Sequence, residues 1–350
     1  MNRLLPSRRL VVVLLVGLVL AACGPSERGG EPATPEPTAE SPPAPTPIGI
    51  RLKWLVQVHS AGEIVAAEKG FCDEQGLKCE VRPGGPDFDS IKLVASGQDD
   101  YGVTSADRLI LARSKGIPVV AIGVLFQESP VCFFARAGTG FSSPSDFLGR
   151  KIGVKFGTNA ETEYAVLLKR AGIERSKVVE VPVKFDLGPF LTEQVDVWPG
   201  LESNEPLAVA AKGVEVEVLR SRDHGIETYS NVYFTTEDRV RENPEEVRRF
   251  LAAVGAGWGF VRREPDAAVD LVLAANPQLA RDHERKALDL TLPIIFPDDS
   301  TDFGDMTAQG WFSTQSVLLD GGLLEAPIEL DEAWLAAPGS GRDRAPGSGD

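Results

Sequence analysis

Ile48-Gly-Ile50-Arg-Leu52-Lys-Trp54 opens the folded part of the chain with an apolar residue at every second position, the period of a β-strand. Around it the pattern switches repeatedly. A helical period runs over 61–75 and stops at Gly76; a strand over 79–82 follows, then a turn at Gly84-Gly85-Pro86. Residues 88–96 read as helix and 101–104 as a short strand. Asp107 starts a helix that ends near Gly116, and 119–126 is a buried strand. Ser143-Pro144-Ser145-Asp146 has the Ser cap and early Pro of a helix start. Strands over 151–154, 178–181, 195–198, 214–219 and 231–235 alternate with helices, the first of them reaching Ala171. From Glu245 to the Trp311 region the chain is mostly helical. Alternating β and α units predict a parallel-type sheet covered on both faces, an α/β fold.

The chain has 350 residues, 43% hydrophobic and 25% charged, enough for about two domains with a real core. A net charge of −15 argues against nucleic-acid binding, which needs a basic face. Three His and four Cys argue against a multi-ligand zinc site, so no metal and no cofactor is expected. No repeat of fixed period is present.

The ends are not part of the fold. Arg3, Arg8 and Arg9 precede an apolar run over 10–20, and Leu20-Ala-Ala-Cys23-Gly24 follows, a secretory signal with small residues before the cut. The run is too short for the ~20 residues that span a bilayer. Cys23 after Leu-Ala-Ala resembles a bacterial lipobox, which makes 1–22 a lipoprotein signal peptide and Cys23 the lipidated N-terminus. Cleavage there removes three Arg and takes the net charge from −15 to −18. Eight Pro among Glu, Ser, Thr and Ala make the segment to residue 47 an extended tether, and 336–350 repeats Pro-Gly-Ser-Gly and reads as a disordered tail.

Trp54-Leu-Val-Gln57, Ala61-Gly62, Ala66-Ala-Glu-Lys-Gly70, Glu74-Gln-Gly76-Leu77, Leu93-Val-Ala-Ser-Gly97, Gly102-Val-Thr-Ser105-Ala106-Asp107, Lys115-Gly-Ile-Pro-Val119, Gly149-Arg-Lys-Ile-Gly153-Val154, Gln194-Val-Asp196, Asn204-Glu205-Pro206 and Phe234-Thr-Thr236 occur in this order. As an ordered set over about 48–330 they resemble the substrate-binding proteins of ABC importers. The branch is the one similar to pyrimidine synthases of thiamine biosynthesis, which also includes alkanesulfonate binders. The resemblance implies a type II periplasmic-binding fold: lobe one over 48–135 plus 232–335, lobe two over 136–231, crossovers near 135–138 and 229–233. It also implies an exported, monomeric receptor serving a membrane permease, a role that suits a lipid anchor.

Ligands of α/β sheets bind beyond the carboxyl ends of strands. Trp54, Gln57 and His59 follow the first strand; Trp54 suits stacking on a flat ring or, equally, a place in the core. Ser105 and Asp107 follow the third strand, Asp107 also reading as a helix cap. Thr158, Asn159 and Glu161 open a lobe-two helix, where a carboxylate also suits the dipole. Asn204 and Glu205 match the family motif, and an amide beside a carboxylate suits an aminopyrimidine edge. Relatives often carry an aromatic before that Asn; Ser203 stands there, so Trp198, Tyr229 and Tyr233 are candidates for the aromatic face. Cys72 and Cys79, seven apart between a helix end and a strand start, are expected to pair in an exported protein, leaving Cys132 a buried thiol.

Fungal synthases that resemble this family carry a Cys-Cys-Cys-Phe-Cys run; it is absent here, as are the common catalytic motifs. The expectation is a receptor, with an enzyme of pyrimidine synthesis or a lipid-anchored sensor as rivals. Carboxylates at Asp107, Glu161 and Glu205, with Arg108 as the one arginine, favour a flat nitrogen-containing ring over a sulfonate. The order is thiamine-precursor pyrimidine first, riboflavin second, alkanesulfonate last.

Overall fold

Ten strands form two separate sheets in the computed structural model, which describes residues 44–335. The leader, Cys23, most of the tether and the tail 336–350 lie outside the described residues, and the lipidation expectation with them. The strands are β1 Thr46–Arg51, β2 Leu77–Arg82, β3 Tyr101–Ser105, β4 Val119–Val124, β5 Val131–Arg136, β6 Lys151–Val154, β7 Val179–Pro182, β8 Val197–Leu201, β9 Val216–Arg220 and β10 Asn231–Thr236. The first sheet has the order β2-β1-β3-β10-β4, the second β7-β6-β8-β5-β9.

Each sheet is mixed, where a parallel sheet was expected. β10 runs antiparallel to β3 and β4, and β5 antiparallel to β8 and β9; the other pairings are parallel. These are the two strands entered on crossing from one lobe to the other, so each joins its new sheet from the opposite end. The same strands correct the lobe boundary. β5 belongs to the second sheet, so the first crossover is 125–130 and not 135–138. The second lies over 221–230, slightly before its expected place. The crossovers bond to one another: Ser230 N donates to Phe126 O at 3.1 Å, and Leu125 N to Asn231 O at 2.8 Å.

Helices α1 Ala61–Glu68 and α2 Phe71–Glu74 replace the single helix read over 61–75. Gly70 between them has φ +81°, a left-handed conformation that ends a helix and suits glycine. The rest are α3 Ser90–Ala95, α4 Ala106–Arg113, α5 Asn159–Arg170, α6 Gly188–Leu191, α7 Glu205–Ala210, α8 Glu237–Glu242, α9 Pro244–Arg263, α10 Pro265–Ala275, α11 Arg281–Ile295 and α12 Ala308–Gly321. The Ser143 start yields only a 3-10 turn over Pro144–Phe147.

α9 shows why its sequence is a helix. It has Pro at the first turn, Glu245 and Glu246 at the positive end of the dipole, and Arg262 and Arg263 at the negative end. Val247, Phe250, Val254, Trp258 and Val261 form its buried stripe at helical spacing. α9 seats α1 closely. A Cβ on Gly62 would fall 2.2 Å from the Trp258 ring, and one on Gly257 would fall 2.1 Å from the Gly62 carbonyl. Nearby the structure contains the Cys72–Cys79 disulfide, Cα–Cα 6.0 Å, tying α2 to β2. Cys132 is a buried free thiol, and burial holds its pKa well above the usual thiol value. α12 packs on α4 of the first lobe, and it also sends Val317 into the core of the second. Among the described residues no helix is long and apolar enough to cross a membrane.

Candidate functional site

Four strands end at one cleft. The loops after β1, β3, β6 and β8 enclose a cavity of about 510 Å³ between the sheets, inside the ~300–1,000 Å³ range of small-molecule sites. The β1 loop contributes Lys53, Trp54, Gln57 and His59 to its wall; β3 and α4 contribute Ser105 and Arg108; the β6 loop contributes Lys155, Phe156, Thr158 and Asn159; β8 and α7 contribute Asn204 and Glu205. Phe88 and Phe185 complete an aromatic rim.

The lobes meet across this cleft. Trp54 and Phe185, from opposite lobes, have ring centroids 4.3 Å apart at 53°. Arg108 Nη1 donates to Gly157 O at 2.8 Å. His59 Nε2 and Ser203 Oγ share a hydrogen bond of 2.7 Å, and His283 Nε2 lies 3.0 Å from Asn204 Oδ1. Glu284, next in the chain, accepts from Val58 N at 2.9 Å and so holds the β1 loop. The His283-Glu284 pair is thus a brace between α11 and the cleft loops.

The wall mixes Lys53, Arg108 and Lys155 with Glu63, Asp89 and Glu205. Arg108 and Asp89 pair at 3.7 Å. Lys155 Nζ and Glu205 Oε1 form an ion pair of 2.6 Å with side chains 6% and 14% exposed, and Glu205 Oε2 also accepts from Leu201 N at 2.8 Å. Lys53 Nζ donates to Asn231 Oδ1 at 3.0 Å; burial lowers its pKa to about 8, against the pull of Asp107 and Glu163. Burial lowers the His59 pKa to about 4, so the imidazole is neutral at physiological pH. Burial raises the Glu63 pKa to about 7. Three residues of the β1 loop, β3 and α5 carry a buried polar atom with no partner among the described residues: His59 Nδ1, Ser105 Oγ and Asn159 Nδ2. Unpaired buried groups on the wall of a cavity are the groups a ligand would satisfy.

Of the candidates read from the sequence, the structure brings Trp54, Gln57, His59, Ser105, Thr158, Asn159, Asn204 and Glu205 to one cavity. It places five elsewhere. Trp198 is fully buried in the second lobe's core with Phe134 and Phe190, and Lys155 Nζ lies 5.5 Å from its ring centroid. Tyr233 is fully buried against α9 and accepts from Trp258 Nε1 at 2.8 Å. Both lie within strands, where the sheet covers them, and not in the loops beyond. Tyr229 likewise packs on Trp311 and bonds to Thr307. Glu161 folds back onto its own loop, accepting from Gly157 N at 2.7 Å and pairing with Arg175 at 3.1 Å. Asp107 is buried one layer behind the wall, close enough to Lys53 and Glu163 to bias both. The charge argument against a sulfonate therefore changes. Glu161 and Asp107 do not face the cavity, Glu205 is neutralised, and Lys53 and Lys155 were overlooked. Both lysines follow a strand end, and the rule that selected Gln57 would have found them. Phe185, in the loop between β7 and α6, carried no signal.

A family profile described as "NMT1/THI5 like" matches residues 57–268, more than half of the chain. The chain belongs to the NMT1/THI5-like family. Within it, the chain is similar to the riboflavin-binding protein RibY of Chloroflexus aurantiacus, 27% identical over 93% of this chain and 96% of that protein. It is also similar to the formylaminopyrimidine-binding protein of Halalkalibacterium halodurans, 27% identical over 94% and 98%. The 4-amino-5-hydroxymethyl-2-methylpyrimidine phosphate synthase THI5 of Saccharomyces cerevisiae is 26% identical over 67% of this chain and 73% of its own length. Among solved structures, the periplasmic aliphatic sulphonate binding protein SsuA of Escherichia coli superimposes with a TM-score of 0.67 at 17% identity, over 88% of this chain and 99% of that one. At that identity the likeness concerns the fold. This NMT1/THI5-like chain has the type II periplasmic-binding architecture, two α/β lobes around a ligand cleft.

Proposed function

We propose that this protein is the substrate-binding component of an ABC importer. On this reading it captures a small neutral molecule built on a pyrimidine-type ring and delivers it unchanged to a membrane permease. The observation that carries the reading is the cavity itself: an aromatic pair, Trp54 and Phe185, over a wall where Lys155 is paired with Glu205 and Arg108 with Asp89. Aromatic faces suit a flat ring. A wall with Lys155 committed to Glu205 and Arg108 to Asp89 suits a neutral polar solute better than a bare anion, which favours unpaired arginines or helix N-termini. The names of the two relatives that align over nearly the whole chain support this, since a formylaminopyrimidine and a flavin both contain a pyrimidine ring, free in one and fused in the other.

Within that class a thiamine-precursor pyrimidine is the first reading. The second is riboflavin, and the cavity favours it on one count: 510 Å³ leaves room for a fused ring with a polar chain. Export and anchoring through Cys23 belong to the same proposal, because a receptor for a permease works at the outer face of the membrane. Calorimetric titration with riboflavin, with an aminopyrimidine and with an alkanesulfonate, followed by recovery of the bound molecule, tests it. The expected result is saturable binding of a ring compound that is recovered intact. Tight binding of the sulfonate alone, or conversion of the pyrimidine to a new product, would overturn it.

A further inference from the structure

We propose that Glu63 is a ligand-binding residue of the cleft, its carboxyl accepting from an N–H or O–H group of the bound molecule. The inference rests on the reading of the cavity as a receptor site and deepens it.

Glu63 stands in the first turn of α1, is wholly buried, and lines the cavity. Neither of its oxygens has a hydrogen-bond partner among the described residues. The polar groups beside it are the Tyr233 hydroxyl and the Trp258 indole, and that indole N–H is already given to the Tyr233 oxygen at 2.8 Å. The other two carboxylates of the wall are engaged. Glu205 is paired with Lys155, and Asp89 caps α3 through Ile91 N at 3.1 Å. The Tyr233 O–H is then the one protein donor beside the carboxyl, and it can serve only one of the two oxygens, so Glu63 is the wall carboxyl with an acceptor left for a ligand.

Its position is held by the backbone. Gly62, next to it, is seated so closely on Trp258 that no larger residue fits, which fixes α1 against α9 and the Glu63 carboxyl at the inner wall. A buried acceptor left unmade is unfavourable, and native proteins seldom tolerate one. A ligand amino group, ring N–H or hydroxyl would satisfy it in its ionised form, in which it would repel a sulfonate or carboxylate. Burial raises the Glu63 pKa to about 7, so near neutrality the group can also meet a ligand acceptor as a neutral acid. This chemistry selects ligands with hydrogen-bonding ring edges.

The test pairs Glu63→Leu with the near-isosteric Glu63→Gln. Each is titrated with riboflavin and with 4-amino-5-hydroxymethyl-2-methylpyrimidine, and its thermal midpoint is measured without ligand. Glu63→Leu should bind the better of the two probes roughly tenfold to a hundredfold more weakly, the range of a lost charge-assisted hydrogen bond. Its midpoint should stay the same or rise, because an unpaired buried carboxyl is removed. Glu63→Gln, which keeps an acceptor oxygen, should fall between Glu63→Leu and the wild type. Unchanged affinity in both variants overturns the assignment while leaving the receptor reading intact. A fall in midpoint that tracks the fall in affinity shows a structural role and overturns it too. If the wild-type protein binds neither probe, the receptor reading fails and the assignment fails with it.

Discussion

Glu205→Ala separates a structural carboxylate from a ligand-binding one. Glu205 reaches Lys155 at 2.6 Å, with that lysine 6% exposed, and its second oxygen accepts from Leu201 N at 2.8 Å. Truncation leaves a buried ammonium without its partner and a backbone N–H without its acceptor. Removing one member of a buried pair costs about 3–5 kcal/mol; the 14% exposure of Glu205 lets water relieve part of this, which places the expected loss near the lower end, about 3 kcal/mol. For a body of this size, with an unfolding entropy of about 2.1 cal/mol/K per residue, that is a drop in Tm of roughly 5 °C. Urea denaturation of the unliganded protein measures it. The double variant Lys155→Met with Glu205→Gln should recover most of the loss, because the buried ammonium is gone and the Gln oxygen still accepts from Leu201 N. If Glu205→Ala unfolds within about 1 kcal/mol of wild type, the ion pair contributes no more than an exposed surface pair would, and the reasoning from burial is wrong.

Trp54→Ala should weaken binding of a ring compound about tenfold, since an aromatic contact beyond its area is worth ~0.5–1.5 kcal/mol. It should also expand the unliganded protein in small-angle scattering through loss of the Phe185 contact; an unchanged curve and affinity would contradict this. Glu163 is buried, accepts from Ser129 Oγ at 2.6 Å in the first crossover, and burial lifts its pKa to about 8. The folded protein then holds a proton that the unfolded chain releases near 4.5. The stability due to this proton is full below that pH and is lost as pH rises through about 8. Glu163→Gln should therefore be more stable than wild type at pH 9 by a few kcal/mol and nearly equal to it at pH 5; parallel denaturation curves at both pH values would refute the argument. Replacing both Cys72 and Cys79 by Ala should cost about 2–3 kcal/mol, the entropy of a short closed loop. Reductant should destabilise the wild type and leave the double variant unmoved.

The cleft was legible in the sequence wherever its residues follow a strand directly. Gln57, Ser105, Thr158 and Asn204 all sit where a parallel strand gives way to a loop or helix start, and local alternation marks such points. Trp198 and Tyr233 were misplaced because they stand inside strands. A continuous apolar run such as Val197-Trp198 does not reveal which face is covered by a helix. The boundary at β5 was misread for the same reason. Val131-Cys-Phe-Phe-Ala135 is apolar throughout, so nothing local says which sheet it joins or that it enters antiparallel. Glu63 was invisible because an acid in a first helical turn is what the dipole favours on any surface helix. Only the packing of Gly62 on Trp258, nearly 200 residues away in the chain, turns it inward. Phe185 reaches Trp54 across the lobes, a contact that no window of sequence contains.

The central claim is that the cleft holds a neutral pyrimidine-type ring and does no chemistry on it. Native mass spectrometry of the freshly purified full-length protein tests this most directly, because it reports what the cavity retained. A bound species that leaves on denaturation, absorbs in the ultraviolet and carries a free or fused pyrimidine ring is the result expected. A bound alkanesulfonate, or a covalent adduct that survives denaturation, would contradict it.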